Sequence, residues 1–180
     1  MALPKLDTPT YELEQPSTGE KIKYRPFLVK EQKTLMMAQE SKDDKQIRDA
    51  LASLISGCTF EAVDPFKIPI FDVEYLFLRI RGKSVGEKVD LNLLCPDDNE
   101  TRVTKTINLE DINVNMKVDH TNEIGITENI KVFMKYPTLS DVVDMGQDMN
   151  SSDDVFKMVK RCIHEIHEGE KVFNEVDISE

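Results

Sequence analysis

The sequence predicts an α+β fold: an antiparallel β-meander covered on one face by several α-helices, with an extended N-terminal arm. Stretches before residue 86 repeat apolar side chains at helical spacing, and residues 88–118 alternate apolar and polar side chains as strands do. The first 20 residues carry three prolines and few apolar side chains. We therefore expect an arm over residues 1–20 and a single α+β domain over residues 21–180.

The composition is typical of a folded soluble domain. The 180 residues are 39% hydrophobic and 32% charged, which is enough apolar content for one well-buried core. The net charge is −11 and acidic residues occur in every segment, whereas a nucleic-acid groove needs clustered lysine and arginine. We therefore expect a solvated acidic surface and no nucleic-acid partner.

The N-terminus and the cysteines predict that the chain stays in the cytoplasm, where it is made. No run approaches the roughly 18 apolar residues of a transmembrane helix, and the N-terminus has prolines and acids where a secretory signal has an apolar core. Cys58, Cys95 and Cys162 lie far apart and form no CxxC pair. Such spacing is typical of free thiols in a reducing cytoplasm.

The first half of the domain is predicted to contain one strand and three helices. Residues 21–25 alternate and end at Pro26, which predicts a short strand. Residues 28–41 and 42–58 predict two helices, and Cys58 falls on the apolar stripe of the second, where we expect a buried structural thiol. A third helix follows, with an apolar stripe of Val73, Leu76, Phe77 and Ile80.

Three alternating runs follow as the clearest strand pattern. The first run places Val89, Leu91, Leu93 and Cys95 on one face, and the second places Val103, Ile107 and Leu109 on the same face. The third run, residues 112–118, alternates without interruption. Together they predict a meander whose apolar face is covered by helices.

The C-terminal third predicts further strands and two helices. Residues 122–137 indicate either a hairpin or one strand after an irregular loop, and a short helix opens at Thr138 or Ser140. A longer helix is predicted from Ser151 or Ser152 to Gly169, with a strand and another helix start at Ser179 after it. The predicted stripe of the longer helix is Val155, Val159, Cys162 and Ile166.

The stretch "LCPDDNE" around Cys95 is compatible with half of a zinc knuckle, with a reactive thiol on a loop, or with a simple turn between two strands. A zinc site needs about four ligands, usually in two close pairs, and Cys95 has no second cysteine within four residues. Pro96, Asp97, Asp98 and Asn99 are residues that β-turns favour. We therefore predict a hairpin turn without a metal.

The stretch "CIHEIHEGE" is the other candidate for chemistry. On a helix, His164 and His167 would face nearly the same way and could hold a cation together with Glu168. The spacing is H-x-x-H and lacks the H-E-x-x-H of metalloproteases, and histidines near a helix C-terminus also have a dipole explanation. We predict no catalytic residue, no cofactor and no metal, with a metal-assisted hydrolase at His164 and His167 as the alternative.

Longer segments carry a family resemblance. In order, they are "KYRPFLVKEQK", "FDVEYLFLRIRGKSVGE", "DLNLLCPDDNETRVTKTINLEDI", "IKVFMKYPTL", "IHEIHEGE" and "KVFNEVD". Together they resemble the baseplate hub assembly proteins of T-even-type contractile-tailed bacteriophages. Some relatives have a second cysteine near the Cys-Pro, as in a small zinc ribbon, whereas this chain has Asp97, Asp98 and Asn99 there.

The resemblance implies a non-enzymatic role in building the tail baseplate hub through protein–protein contacts. The chain would be either a hub subunit retained in the virion or an assembly chaperone that leaves it, made late and working in the host cytoplasm. Its expected partners are other hub proteins, with self-association into a homo-oligomer also open. Related chains continue with a further helical segment, which this chain would lack.

The N-terminal arm is the predicted contact site, because it has too little apolar content to fold alone. Its apolar residues, Tyr11 and Leu13, are the candidate partner-binding residues.

Overall fold

A computed structural model of the chain describes residues 8–117, 119–145 and 151–174. Within them it contains five α-helices and eight strands, and every strand pair is antiparallel, so the predicted α+β class is confirmed. The chain divides into two compact units: unit 1 is Met1–Pro65 with Phe71–Val114, and unit 2 is Phe66–Ile70 with Asn115–Glu180. The predicted division into an arm and one domain stays a prediction.

Unit 1 begins with a hairpin of β1, Tyr11–Glu14, and β2, Lys21–Tyr24. The predicted strand at residues 21–25 is confirmed, and residues 11–14 of the predicted arm are paired with it. Gly19 has φ +73°, a left-handed conformation that glycine adopts without strain, and its N–H donates to the carbonyl of Gln15 at 2.8 Å. The turn therefore folds β1 back on β2.

Unit 1 contains three helices, of which the second and third supply most of its core: α1, Val29–Ser41; α2, Asp44–Cys58; and α3, Ile70–Val85. All three were predicted. The Asp43 carboxylate caps α2 by accepting the N–H of Lys45 and of Gln46. The buried core side chains of α2, α3 and β2 are Ala52, Leu54, Ile55, Cys58, Val73, Leu76, Ile80, Ile22 and Tyr24.

Buried Asp72, in the first turn of α3, holds the turn of the first hairpin. Its carboxylate accepts the Gln15 side-chain amide at 2.7 Å, the Ser17 backbone N–H at 3.1 Å and the Ser17 hydroxyl. A buried carboxylate needs such donors because it has lost its water. The contact joins residues far apart in the chain and ties β1 to the helical core of unit 1.

A second hairpin follows α3: β3, Lys88–Leu94, and β4, Arg102–Asn108. Both strands were predicted, but the third strand at residues 112–118 was wrong. Residues 112–117 form no strand, and Val118 lies outside the described residues. The Arg79 guanidinium donates to the Ile112 carbonyl and to Asn113 Oδ1, both at 3.0 Å, so this segment is held by a helix side chain instead of a strand partner.

Unit 2 contains a four-stranded antiparallel sheet, whereas the three-stranded meander predicted at residues 88–118 is only the two-stranded hairpin of β3 and β4. Its four strands pair in the order β5-β6-β7-β8, and two helices follow β6 and precede β7 in the chain. Residues 122–137, for which a hairpin and a single strand after a loop were both predicted, form the hairpin of β5 and β6. The elements are β5, Glu123–Gly125; β6, Ile130–Met134; α4, Leu139–Met145; α5, Ser152–Arg161; β7, Ile163–Glu168; and β8, Lys171–Asn174.

The predicted long helix from residue 151 to Gly169 was wrong in its second half. The Ser151 hydroxyl caps α5 as predicted, but α5 ends at Arg161 and residues 163–168 form β7. Strand β7 pairs with β6 on one side and with β8 on the other, so its backbone groups are satisfied between strands. Tertiary pairing therefore overrides the helical pattern here. The predicted helix start at Ser179 lies outside the described residues.

Candidate functional site

The β3–β4 hairpin presents an apolar face that the described part of the chain does not cover. The register pairs Val89 with Ile107 and Leu93 with Val103, which puts them with Leu91 on one side of the hairpin. We call these five residues the hairpin face, and Lys105, which stands opposite Leu91, lies on the same side. Val89 and Ile107, near the base, are half-buried, whereas Leu93 is 46% exposed and Val103 is 55% exposed. The predicted cover of helices is therefore wrong for this sheet.

The turn at the tip is built as the sequence predicted. The Cys95 N–H donates to the Thr101 carbonyl at 2.8 Å, and the Asn99 N–H donates to the Cys95 carbonyl at 3.0 Å. Asp98 accepts the N–H groups of Glu100 and Thr101, both at 3.0 Å, and the Thr101 hydroxyl, whose hydrogen bond is the main cause of the lowered pKa of Asp98. The tip is therefore an ordered turn that fixes the register of the hairpin.

The base of the hairpin is anchored to α3. Buried Leu109 donates its N–H to the Glu87 carbonyl at 2.7 Å. The Lys83 ammonium lies between two carboxylates, 2.5 Å from Glu87 and 2.6 Å from Glu110, and these hydrogen bonds raise the pKa of Lys83. Arg79 donates to the carbonyls of Leu109 and Glu110, at 3.3 and 2.9 Å. A fixed base and an exposed tip give the hairpin face a defined position in unit 1.

This arrangement suits contact with another protein. A cluster of exposed apolar side chains on a structured element is the usual mark of an interaction surface. Strands β3 and β4 form a two-stranded sheet, so among the described residues the outer edge of each strand has no strand partner. Such edges accept an added strand. The hairpin can therefore bind a partner through side chains and through backbone groups.

The three cysteines are free thiols. Cys95, at the end of β3, is half-buried in the turn and has no second cysteine beside it, which agrees with the predicted turn. Cys58 is fully buried, as predicted, and burial, followed by the nearby Glu31 carboxylate, raises its pKa to about 12. Such a thiol stays protonated at neutral pH, so Cys58 is a packing residue.

The alternative that placed His164 and His167 on one helix face was wrong, because both residues lie on strand β7. The pairing of β6 with β7 is irregular next to His164, so strict alternation does not hold there, and His164 Nε2 lies 3.7 Å from Glu165 Oε1. His167 Nε2 lies 3.0 Å from Glu165 Oε2, and its ring packs 4.5 Å from the ring of Phe133. Glu168, the third candidate ligand, is the last residue of β7. Among the residues that the structure describes, no group of three or more histidine, cysteine, aspartate or glutamate side chains could hold a metal ion.

Tyr11 and Leu13, the predicted partner contacts, lie on β1 and are half-buried within unit 1. The Tyr11 ring packs 5.6 Å from the Tyr24 ring and 5.4 Å from the Lys83 ammonium, and Leu13 stands opposite Ile22. These contacts give both residues a role in unit 1. Their role in partner binding stays a prediction.

The exposure of the hairpin face was the feature that sequence reasoning missed. Alternation identifies which side chains share a face, but it does not show whether another element covers that face. One signal was present: Leu94 stands on the face that Asn92 and Thr104 make polar, so the tip carries leucine on both sides. A strand end with apolar residues on both faces needs contacts beyond a single helix layer.

Comparison with known families gives one match. A family model described as T4 bacteriophage base plate protein matches residues 8–180, which is nearly the whole chain. The comparisons with curated proteins and with solved structures found no match. In the described part of the chain, every helix is too short or too polar to cross a membrane.

Proposed function

The chain belongs to the T4 bacteriophage base plate protein family, and from this premise we propose that it is a non-enzymatic component of baseplate hub assembly. The observation that carries the proposal is the family match over residues 8–180. The family makes the chain a phage baseplate protein whose contacts are with other baseplate proteins. The hub as its place, and protein–protein contact as its mode of action, are the steps that we add.

The exposed hairpin face supports action by contact. Leu91, Leu93 and Val103 leave apolar surface in water, which is unfavourable by roughly 25 cal/mol for each Å² that a partner would cover. Burying this surface against a hub protein removes that penalty. The anchored base keeps the hairpin in one orientation, so less freedom is lost on binding than with a mobile loop.

Two mechanisms are compatible with this surface. A structural subunit would stay in the finished virion with its hairpin face permanently covered. A chaperone would cover a hub protein during assembly in the host cytoplasm and then leave. The permanent subunit is our first proposal, because covering an exposed apolar face for good is the more stable state. The transient chaperone is the second.

Quantitative mass spectrometry of purified phage particles and of baseplate intermediates tests the proposal. A hub subunit is expected in both samples at a fixed ratio to other hub proteins. Presence in intermediates and absence from virions would replace the subunit with the chaperone. Absence from both, with normal baseplates formed in cells lacking the chain, would contradict a role in hub assembly.

The metal-assisted hydrolase has no supporting observation. It needed two histidines on one helix face, whereas His164 and His167 lie on strand β7, and among the described residues no group of three or more ligand side chains could hold a metal ion. We therefore propose no catalytic or metal-binding residue.

A further inference from the structure

Helix α1 of unit 1 exposes a valine and two adjacent methionines. Val29 is 82% exposed, Met37 is 60% exposed and Met36 is 53% exposed, whereas Ala38 is buried on the other side of the helix. Because an α-helix has 3.6 residues per turn, the three exposed residues lie in one strip along its solvent side. Methionine side chains are apolar and adaptable, so this strip suits contact with another surface.

Two charges of opposite sign frame the methionine pair on the same strip. Lys33 stands three residues before Met36, and Glu40 stands three residues after Met37, so the row reads basic, methionine, methionine, acidic. Both charged side chains are exposed, and among the residues that the structure describes neither side chain has an ion-pair or hydrogen-bond partner. Their neighbours within α1, three and four residues away, are apolar or carry a like charge. The row is therefore free to pair with another molecule.

The order of the charges is the opposite of the order that stabilises an isolated helix. The helix dipole favours acidic side chains near the N-terminus and basic side chains near the C-terminus. Glu40 lies in the last turn of α1, and that turn contains no basic residue. A cation supplied from outside the helix would stabilise the Glu40 carboxylate, so the arrangement indicates a contact surface instead of a helix-stabilising pair.

We propose that α1 is a self-association surface on which the α1 helices of two copies of this chain pack antiparallel. A two-fold axis that passes between Met36 and Met37 brings Met36 of each copy against Met37 of the other. The same axis places Lys33 of each copy opposite Glu40 of the other, because the two residues are equidistant from it along the helix. The pairing is isologous and closes as a dimer.

The charge row favours a second copy in the antiparallel orientation. A parallel arrangement would put Lys33 beside Lys33 and Glu40 beside Glu40, which is destabilising. The antiparallel arrangement forms an attractive pair at both ends, brings a cation to the C-terminal turn of each α1, and sets the two helix dipoles in opposite directions. A single surface thus provides both halves of a complementary contact, and a second copy is the occupant that matches it.

The contact is small, so the dimer is expected to be weak. A helix of 13 residues is about 20 Å long, and a pair of such helices buries less than the roughly 800 Å² per partner of a stable interface. Dissociation constants of about 10 μM to 1 mM are expected for the isolated protein. Within a larger assembly, neighbouring copies would meet at high effective concentration. The inference rests on α1 alone and does not depend on the proposed hub function.

Charge reversal gives the sharpest test, by sedimentation equilibrium of the full chain across this concentration range. Lys33→Glu alone and Glu40→Lys alone each place like charges at both ends of the dimer, and each is expected to weaken self-association about tenfold. Mixing the two variants restores opposite charges at both ends, so the mixture is expected to form heterodimers at close to wild-type affinity.

The Glu40→Lys variant contains its own controls. It makes the net charge of −11 less negative, so weaker association of this variant cannot come from greater overall repulsion. It also places a cation in the last turn of α1, where the helix dipole favours one, so α1 is expected to stay folded. Far-UV circular dichroism and urea unfolding of the monomer check this directly.

The apolar part of the contact is tested by Met37→Gln, which keeps a good helix former at this position and is expected to weaken association at least tenfold. Met116→Gln is the matched control, because Met116 is also an exposed methionine but lies in unit 2, and its association is expected to equal that of wild type. A wild-type protein that stays monomeric up to about 1 mM would overturn the proposal. So would a Met37→Gln variant that associates like wild type, or a charge-variant mixture no tighter than its components.

Discussion

Glu31 connects the start of α1 to the end of α2 through a bidentate ion pair with Arg25. Arg25 Nη2 lies 2.6 Å from Glu31 Oε1 and Nη1 lies 3.0 Å from Oε2, while Nη2 also donates to the Gly57 carbonyl at 3.1 Å. Glu31 Oε2 accepts the Leu28 N–H at 2.6 Å, which is half of a capping box. The Arg25 hydrogen bond is the main reason that the pKa of Glu31 is lowered. The ionised Glu31 carboxylate, through Arg25, therefore connects the start of α1, the end of α2 and the end of β2.

Replacing Glu31 with glutamine is expected to lower the free energy of unfolding by about 1–3 kcal/mol at pH 7, because half-buried Arg25 loses its counter-charge. Since the folded pKa of Glu31 lies below its ordinary value of 4.5, the wild-type advantage is complete above that pH and disappears as the pH falls through the lowered pKa. Urea unfolding of wild type and of Glu31→Gln over this pH range measures the difference in their free energies of unfolding.

The matched control is Glu12→Gln, which removes an exposed ion pair with Lys23 at 3.7 Å. Its expected effect is about 0.5 kcal/mol or less. Equal stability of Glu31→Gln and wild type at pH 7 would show that the ion pair does not hold α1 and α2 together.

The cysteines are expected to react with a thiol reagent at two different rates. Burial raises the pKa of Cys58 to about 12 and also raises that of Cys162, whereas Cys95 is partly exposed at the hairpin tip. Because the thiolate is the reactive form, one fast thiol and two slow thiols are expected near pH 8, and three fast thiols in denaturant. Cys95→Ser should remove the fast phase. Three equally fast thiols in the native protein would contradict the burial of Cys58 and Cys162.

At the scale of elements, local signals identified the parts of the chain that need no distant partner. The Ser151 cap of α5 and the "LCPDDNE" turn make their decisive hydrogen bonds within a few residues, and both were predicted. Residues 163–168 and 112–117 were predicted wrongly because distant groups decide them. Residues 163–168 form a strand because they pair with β6 and β8. Residues 112–117 are held by Arg79, which donates to the Ile112 carbonyl.

The strand assignment of β7 predicts which side chains interact. A double-mutant cycle of Phe133→Ala and His167→Ala is expected to give a coupling energy of about 0.5–1 kcal/mol, because the two rings lie 4.5 Å apart on one face of the sheet. The matched cycle pairs Phe133→Ala with Ile166→Ala. It is expected to give no coupling, since Ile166 stands opposite Val132 and therefore on the other face of the sheet from Phe133. Equal coupling energies in the two cycles would contradict the assignment of residues 163–168 as a strand.

At the scale of the whole molecule, the family match and the exposed surfaces describe a protein built for contact. The sequence predicted the α+β class and the residues of the hairpin face, since both depend on periodicity. It did not predict that Leu93 and Val103 lie in solvent, because exposure depends on where all other elements pack. The predicted contact residues Tyr11 and Leu13 pack within unit 1, so the hairpin face is now the stronger candidate.

The most direct test of the central claim is the amount of this chain that co-purifies with baseplate assemblies from infected cells, compared between two double variants. Leu93→Ser with Val103→Ser alters one cross-strand pair on the hairpin face, and Asn92→Ser with Thr104→Ser alters the neighbouring pair on the opposite face. Both should unfold in urea within about 1 kcal/mol of wild type, since these side chains are exposed. The account predicts that the first variant is lost from baseplates and the second is retained. Retention of both at wild-type levels would contradict it.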